Sequence, residues 1–351
     1  GYWADDDNSW TAFPHTINNS NLAQVSGIGS EGSHNAIVRW GDGTKWGFAW
    51  NQANANDMIN LQWGNGSMGA TFGLNMSSYD DGDDTNGKAT SGMGISASWG
   101  MEMGFGEMGV GFSNSSYDDG SDASKNDPAS MGFWANVRRA QSLWIFDNML
   151  VNFNYHANNS GDGMKGFEGD YTNMNLSTSL YTHVDISENT TGLIAMGFGY
   201  NTKAGILGYQ DAGCYDADGD AVAGIADTDA CTANAATNGW LDVGVWGSNK
   251  DYTSTTISLP TWTFAVESGM TDWATARVGI TADYNVSDTY NMGGISKDVT
   301  SMGGVDMGYS MGLGFNYGSF NLDVDVSEGL FTNPVQHVTG YESIAPTNAT
   351  A

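Results

Sequence analysis

The sequence predicts an all-β fold, namely an antiparallel up-and-down transmembrane β-barrel of about 14–16 strands, with short periplasmic turns and long acidic extracellular loops. Three observations predict it: period-two alternation of apolar with small or polar residues, connections that alternate between short and long, and aromatic residues near segment ends. Successive strand side chains point to opposite faces, so each segment has one apolar face and one small or polar face.

The alternation recurs along almost the whole chain. Residues 93–101 carry Met, Ile, Ala, Trp and Met at odd positions, with Gly or Ser between most of them, and residues 305–317 alternate in the same way. The pattern predicts strands at 23–29, 34–41, 45–51, 57–64, 67–77, 92–101, 104–114, 129–138, 142–156, 171–185, 190–201, 252–266, 273–285, 303–317 and 319–328, and a short last strand near 336–342.

Connection lengths support a barrel more strongly than any single strand does. Short turns are predicted at 64–66, 102–103, 139–140, 187–189, 268–269 and 318, and they alternate with long polar loops at 78–91, 115–128, 157–170, 202–251 and 286–302. Outer-membrane barrels sort their connections in this way, with short turns at one end and long loops at the other. A soluble β-sandwich has no reason to do so.

The chain divides into a short leading segment and one barrel. Residues 1–22 do not alternate and are predicted to lie in the periplasm or inside the lumen, whereas residues 23–351 form the barrel, with 202–251 as a long extracellular loop. The sequence starts at Gly1 without a charged and apolar leader, so we expect an exported protein whose signal peptide is absent from this chain. Glycines on the inner face either curve the wall or make room for an inserted segment.

Composition excludes several function classes. The formal net charge of the 351 residues is −29, with 11 Lys and Arg in total, so a nucleic-acid partner is not expected. Mean hydropathy is −0.33. Hydropathy does not identify membrane barrels, because only alternate residues face lipid.

The polar side of the alternation gives the candidate lumen lining. Exposing a base to lipid at the membrane midplane costs about 2–4 kcal/mol, and an acid costs less, so charged strand residues are expected to face the lumen. An excess of carboxylates there favours cations. Alternatively, the acids pair with bases and only brace the wall. The predicted pore-lining residues are Arg39, Asn60, Gln62, Asn152, Asn154, Arg277, Asp283, Asp306, Asp323 and Asp325.

Two further features lie in the longest loop. Asp216, Asp218 and Asp220 have the alternating spacing, with a turn glycine, that is found in calcium-binding loops, although a solvated acidic loop explains them as well. Cys214 and Cys231 flank these acids, and in an exported protein they are expected to form a local disulfide, free thiols being the alternative. The 5 histidines show no catalytic grouping, so we expect neither enzymatic activity nor a required cofactor.

Taken together, the alternating strands, the sorted loops and the aromatic segment ends resemble a Gram-negative outer-membrane β-barrel of the porin type. The resemblance is architectural and covers most of the chain. It implies location in the bacterial outer membrane, contact with its lipids and lipopolysaccharide, and passive diffusion of small hydrophilic solutes with weak cation preference. A homotrimer is left open. The alternatives are a structural or adhesive surface barrel whose loops bind divalent cations, and a soluble secreted β protein that binds calcium or glycans.

Overall fold

The computed structural model describes only part of the chain. It describes residue 2 and residues 9–26, 35–53, 56–79, 89–118, 128–159, 170–207, 214–215, 245–246, 250–292, 295–299 and 304–326. Within these ranges, no helix is both long enough and apolar enough to cross a membrane.

Almost every described residue belongs to a β-strand. Two short 3₁₀ helices, Ser9–Thr11 and Pro14–Asn19, come first. They are followed by β1 (Leu22–Ser26), β2 (Asn35–Trp40), β3 (Lys45–Ala53), β4 (Asn56–Gly64), β5 (Met68–Tyr79), β6 (Thr90–Met103), β7 (Gly106–Asp118), β8 (Ala129–Leu143), β9 (Phe146–Asn159), β10 (Asp170–Ser187), β11 (Thr190–Leu207), β12 (Cys214–Tyr215), β13 (Val245–Trp246), β14 (Lys250–Thr271), β15 (Ala274–Met292), β16 (Ile295–Val299), β17 (Gly304–Tyr317) and β18 (Phe320–Val326).

The strands form one up-and-down sheet. This 16-stranded sheet follows chain order from β1 to β11 and continues through β14, β15, β17 and β18, while β16 pairs with β15 and β12 pairs with β13 in a separate hairpin. Consecutive pairs are antiparallel throughout. The predicted fold class and strand number are therefore confirmed. The described residues include no pairing of β1 with β18, and the strand predicted at 336–342 lies outside them.

Three predicted turns are misplaced, and one of them, at 102–103, lies inside β6, which continues to Met103 and turns at Gly104 and Phe105. The other two lie inside β8 and β14. The turn predicted at 139–140 lies inside β8, which continues to Leu143 and turns at Trp144 and Ile145. The turn predicted at 268–269 lies inside β14, which continues to Thr271. Both strands shift register near their ends, between Ala140 and Leu143 in β8 and between Gly269 and Thr271 in β14. Such irregularities interrupt the alternation, so the pattern stops before the strand does.

The ladder gives the sheet one apolar face. In β6 the side chains alternate between exposed and half-buried, with Met93 and Ile95 on the exposed side. We call this side the outer face and the opposite side the inner face. Leu61 is 54% exposed on the outer face of β4 and Phe72 is 50% exposed on that of β5. Other exposed apolar residues on the outer face include Val38, Trp40, Trp46, Phe48, Ile59, Phe112, Phe133, Leu176, Phe264, Val278, Ile280, Leu322 and Val324.

The sheet curves around its own N-terminal residues. The Arg39 guanidinium of β2 lies 5.4 Å from the Trp10 ring, and the Arg138 guanidinium of β8 lies 4.7 Å from the Phe13 ring. In a flat sheet, the spacing of about 4.8 Å per strand would separate β2 from β8 by roughly 29 Å. Three residues of chain span at most about 11 Å. One short segment therefore contacts both strands only because the sheet wraps around it.

One turn position should require glycine. Gly106 ends the β6–β7 turn with φ of +144°, and a Cβ there would overlap the carbonyl oxygen of Arg138 and lie 2.7 Å from the Cβ of Arg139. Gly106→Ala should therefore lower the free energy of unfolding by about 1–3 kcal/mol, as measured by urea denaturation in detergent micelles. Gly104→Ala is the control, because a Cβ at Gly104 has nothing within 4 Å. Equal unfolding midpoints for the two variants would contradict this account of the turn.

Candidate functional site

The register places every predicted lining position on the inner face. Arg39 and Gln62 both pair with Gly47, and Asp323 and Arg277 are joined across β17 because they pair with Gly314 and Gly312. The remaining positions follow along the same ladders: Asn60, Asn152, Asn154, Asp283, Asp306 and Asp325. Asp283 and Asp306 are direct partners in the β15–β17 ladder.

These positions differ in their surroundings. Arg39 is 3% exposed and Gln62 is 1% exposed, since both lie beneath the N-terminal residues. In contrast, the side chains of Arg277 and Asp323 are 46% and 66% exposed. The inner face thus has a covered part on the earlier strands and an open part on the later ones.

Residues 9–19 cover the first part, and we call them the N-terminal segment. Phe13 and Ile17 are fully buried, and Thr16 and His15 are nearly so. Phe13 belongs to an apolar cluster with Leu150, Tyr181, Leu193 and Ala195 on β9, β10 and β11. Burial of each large apolar side chain contributes about 1.5–3 kcal/mol, so the segment is held by more than its polar contacts.

A charged triad fixes the middle of the segment. Arg138 Nε donates a short hydrogen bond to Glu107 Oε2, and His15 Nε2 lies 3.1 Å from Glu107 Oε1. The Arg138 side chain is 5% exposed and that of Glu107 is 23% exposed. The same guanidinium lies over the Phe13 ring, a cation–π arrangement that strengthens when water is excluded. Glu107 therefore joins the segment to β7 and β8 at once.

Further hydrogen bonds lie along the N-terminal segment and ahead of it. At the C-terminal end, the Asn18 amide donates to the Met68 carbonyl at 2.9 Å and accepts from the Gly66 amide at 2.8 Å. Beneath Trp10, near the start of the segment, Arg39 Nε of the wall donates to Gln62 Oε1 at 2.7 Å. Ahead of the segment, the Tyr2 hydroxyl donates to Ser179 Oγ at 3.1 Å. These contacts extend along the wall from β2 to β10.

The open part carries an ion-paired arginine. Arg277 Nε donates to Glu267 Oε2 at 2.7 Å, and its Nη1 donates to Asp323 Oδ1 at 2.6 Å. All three side chains are at least two-fifths exposed, so solvent screens the pairs and each contributes little to stability. Asp323 is thus paired with a base, as the alternative in which acids brace the wall expects. Asp283, Asp306 and Asp325 are further acidic positions on β15, β17 and β18.

Two predicted sites fall where little or nothing is described. Asp216, Asp218, Asp220 and Cys231 lie outside the described residues, so the calcium site and the disulfide stay predictions. Cys214 lies in β12, opposite Trp246 of β13. Among the residues that the structure describes, no group of three or more His, Cys, Asp or Glu side chains is arranged to hold a metal ion.

Sequence reasoning missed the triad. Glu107, Arg138 and His15 are far apart in sequence, and none belonged to the predicted lining. One signal was available, because Arg138 shares its alternation side with Asn136 and Gly132, which identifies it as an inner-face base on β8.

Comparison with known proteins gives little beyond the fold. No protein-family model and no curated protein matches the chain. Among solved structures it is similar to BamA from Haemophilus ducreyi lacking POTRA domains 1–3, with 10% sequence identity and a TM-score of 0.33. The match covers 87% of this chain and 66% of that one, just under two thirds of its length. A likeness this distant carries no inference about function.

The triad predicts a stability effect. Glu107→Gln removes the charge that faces Arg138, whose side chain has little access to water. We expect the free energy of unfolding in urea to fall by about 1.5–3 kcal/mol, the usual contribution of a hydrogen bond to a charged group. Glu188→Gln is the matched control, because Glu188 is exposed in the β10–β11 turn, away from the triad. An equal loss in both variants would show that the triad does not stabilise the protein.

Proposed function

We propose that the chain is an outer-membrane β-barrel through which small hydrophilic solutes diffuse passively, with a weak preference for cations. One observation carries the proposal: the amide and charged residues of the strands share the inner face, while the outer face exposes aliphatic and aromatic side chains around the sheet. Soluble monomers rarely expose so large an apolar surface to water, whereas contact with lipid stabilises such a surface.

Strand length supports membrane crossing. A tilted strand needs about 9–11 residues to cross the hydrocarbon layer. β6 has 14 residues, β10 has 18 and β14 has 22, so each is long enough to cross and extend beyond the membrane. Short connections such as 104–105, 144–145 and 188–189 lie at one end of the sheet, which the proposal assigns to the periplasmic side. The connections at 54–55 and 293–294 are also short but lie at the opposite end.

Charge supports the cation preference. We call the inner-face positions Glu267, Asp283, Asp306, Asp323 and Asp325 the acidic strip. These five acidic residues outnumber Arg277, which lies among them and pairs with Glu267 and Asp323. A surplus of one sign along a polar passage raises the local concentration of the opposite ion.

The proposal predicts the behaviour of the purified protein in planar bilayers. In a potassium chloride gradient we expect stable current steps with a reversal potential shifted toward the potassium equilibrium potential. The double variant Asp323→Asn with Asp325→Asn should reduce that shift, because it removes two carboxylates and releases Arg277 from one of its partners. Asp272→Asn, in the exposed β14–β15 turn, is the control and should leave the reversal potential unchanged.

The same recordings distinguish the alternative. Unchanged reversal potentials in the double variant would remove the acidic strip from the passage. A protein that inserts into the bilayer but carries no current would favour a structural or adhesive surface barrel, whose acidic loops bind divalent cations. The proposal includes no catalytic role and no required cofactor, and it takes outer-membrane lipids and lipopolysaccharide as the surrounding partners.

A further inference from the structure

A row of glycines lies directly beneath the N-terminal segment. Gly64, Gly69, Gly100 and Gly109 are consecutive register partners across β4, β5, β6 and β7. We call them the glycine row. Because they face inward and carry no side chain, they form a shallow groove on the inner face of the wall near the short turns.

The N-terminal segment fills that groove with its own backbone. A Cβ at Gly69 would overlap the Pro14 carbonyl oxygen, and one at Gly109 would overlap the Ala12 carbonyl oxygen. At Gly100 a Cβ would lie 2.7 Å from Pro14 Cδ and 2.8 Å from the Pro14 nitrogen. Such approaches are closer than side chains permit, so the wall and the segment fit each other only while these positions remain glycine.

Other inner-face glycines lack this relation. A Cβ at Gly94 would lie 3.4 Å from the Cβ of Ser115 and 3.5 Å from that of Asn75, which is ordinary packing against the wall itself. Gly94 is on β6 with Gly100 and on the same face.

Where another glycine fits closely, as Gly111 does against the Trp134 ring and Gly197 against the Thr178 carbonyl oxygen, the neighbour belongs to the wall. Close contact with the N-terminal segment is therefore what distinguishes the glycine row.

We infer that the N-terminal segment is a built-in plug that occupies the short-turn end of the lumen and leaves passage along the acidic strip. The Glu107 triad anchors the plug in the middle, and Asn18 anchors it to the β4–β5 turn. This inference rests on the proposed function for the existence of a passage. The position of the plug does not depend on the proposed function, because it follows from the contacts of the segment with the wall.

The test combines conductance with chemical labelling. The first variant, Gly69→Ala with Gly109→Ala, should displace the plug and raise single-channel conductance roughly twofold or more, because a barrel of this strand number is wide enough for an aqueous channel when it is not filled. Gly94→Ala should leave conductance as it is. A deletion of residues 2–19 serves as a second variant in case the double substitution prevents folding.

Labelling reports the plug independently of current. Thr16 is 5% exposed, so a maleimide should modify Thr16→Cys slowly in the otherwise unchanged protein and much faster beside the glycine substitutions. Ser67→Cys, in the exposed β4–β5 turn, gives the rate for an accessible site, and the parent protein gives the background from its own cysteines.

The outcomes separate the two proposals. Slow labelling of Thr16→Cys together with higher conductance in the glycine variant supports the plug. Current that appears only in that variant overturns the open passage beside the plug. Labelling of Thr16→Cys as fast as Ser67→Cys overturns the docked position. Slow labelling with conductance unchanged by displacement or deletion shows that the segment does not restrict the passage. Silence of all variants, with slow labelling, defeats the proposed passage and the restricting role but keeps the docked segment.

Discussion

Continuous backbone pairing between neighbouring strands is the constraint on which everything else in this protein depends. Along the main sheet, β2 to β11, β14, β15 and β17 are hydrogen-bonded on both sides. Because side chains alternate, a slip of one residue would move a whole strand's apolar set to the other face. The shared register of the strands therefore determines which residues face outward and which face the N-terminal segment. Arg39, Gln62, Glu107 and Arg138 meet the segment only because their strands keep this register.

The inner face that results is divided rather than uniform. Near the short turns of β2 to β11 it is covered by the N-terminal segment, and the apolar residues of the segment and the triad at Glu107 are largely buried there. On β15, β17 and β18 it carries exposed charge, with Arg277 between carboxylates. One sheet thus provides a buried surface for its own chain and a charged surface exposed to solvent, with no change in the strand pattern that builds both.

The sequence predicts the fold well because the information is local and repeated. Alternation within residues 93–101 defines a strand and its two faces without reference to any other part of the chain, and connection lengths order the strands. Turn positions are predicted less well where β8 and β14 change register near their ends. The charged triad could not be predicted, because His15, Glu107 and Arg138 are brought together by the curvature of the sheet. The glycines permitted an inserted segment but did not indicate which residues fill the space.

The long sequence separations of the segment's contacts have a consequence for the order of folding. Each hairpin of the wall joins residues that are neighbours in the chain, whereas Ala12 meets Asn136 across 124 residues and Tyr2 meets Ser179 across 177. Closing so long a loop costs more entropy than closing a hairpin, and the partners exist only once the curved wall has formed. The N-terminal segment, which precedes the whole wall in the chain, is thus among the last parts to reach its final place.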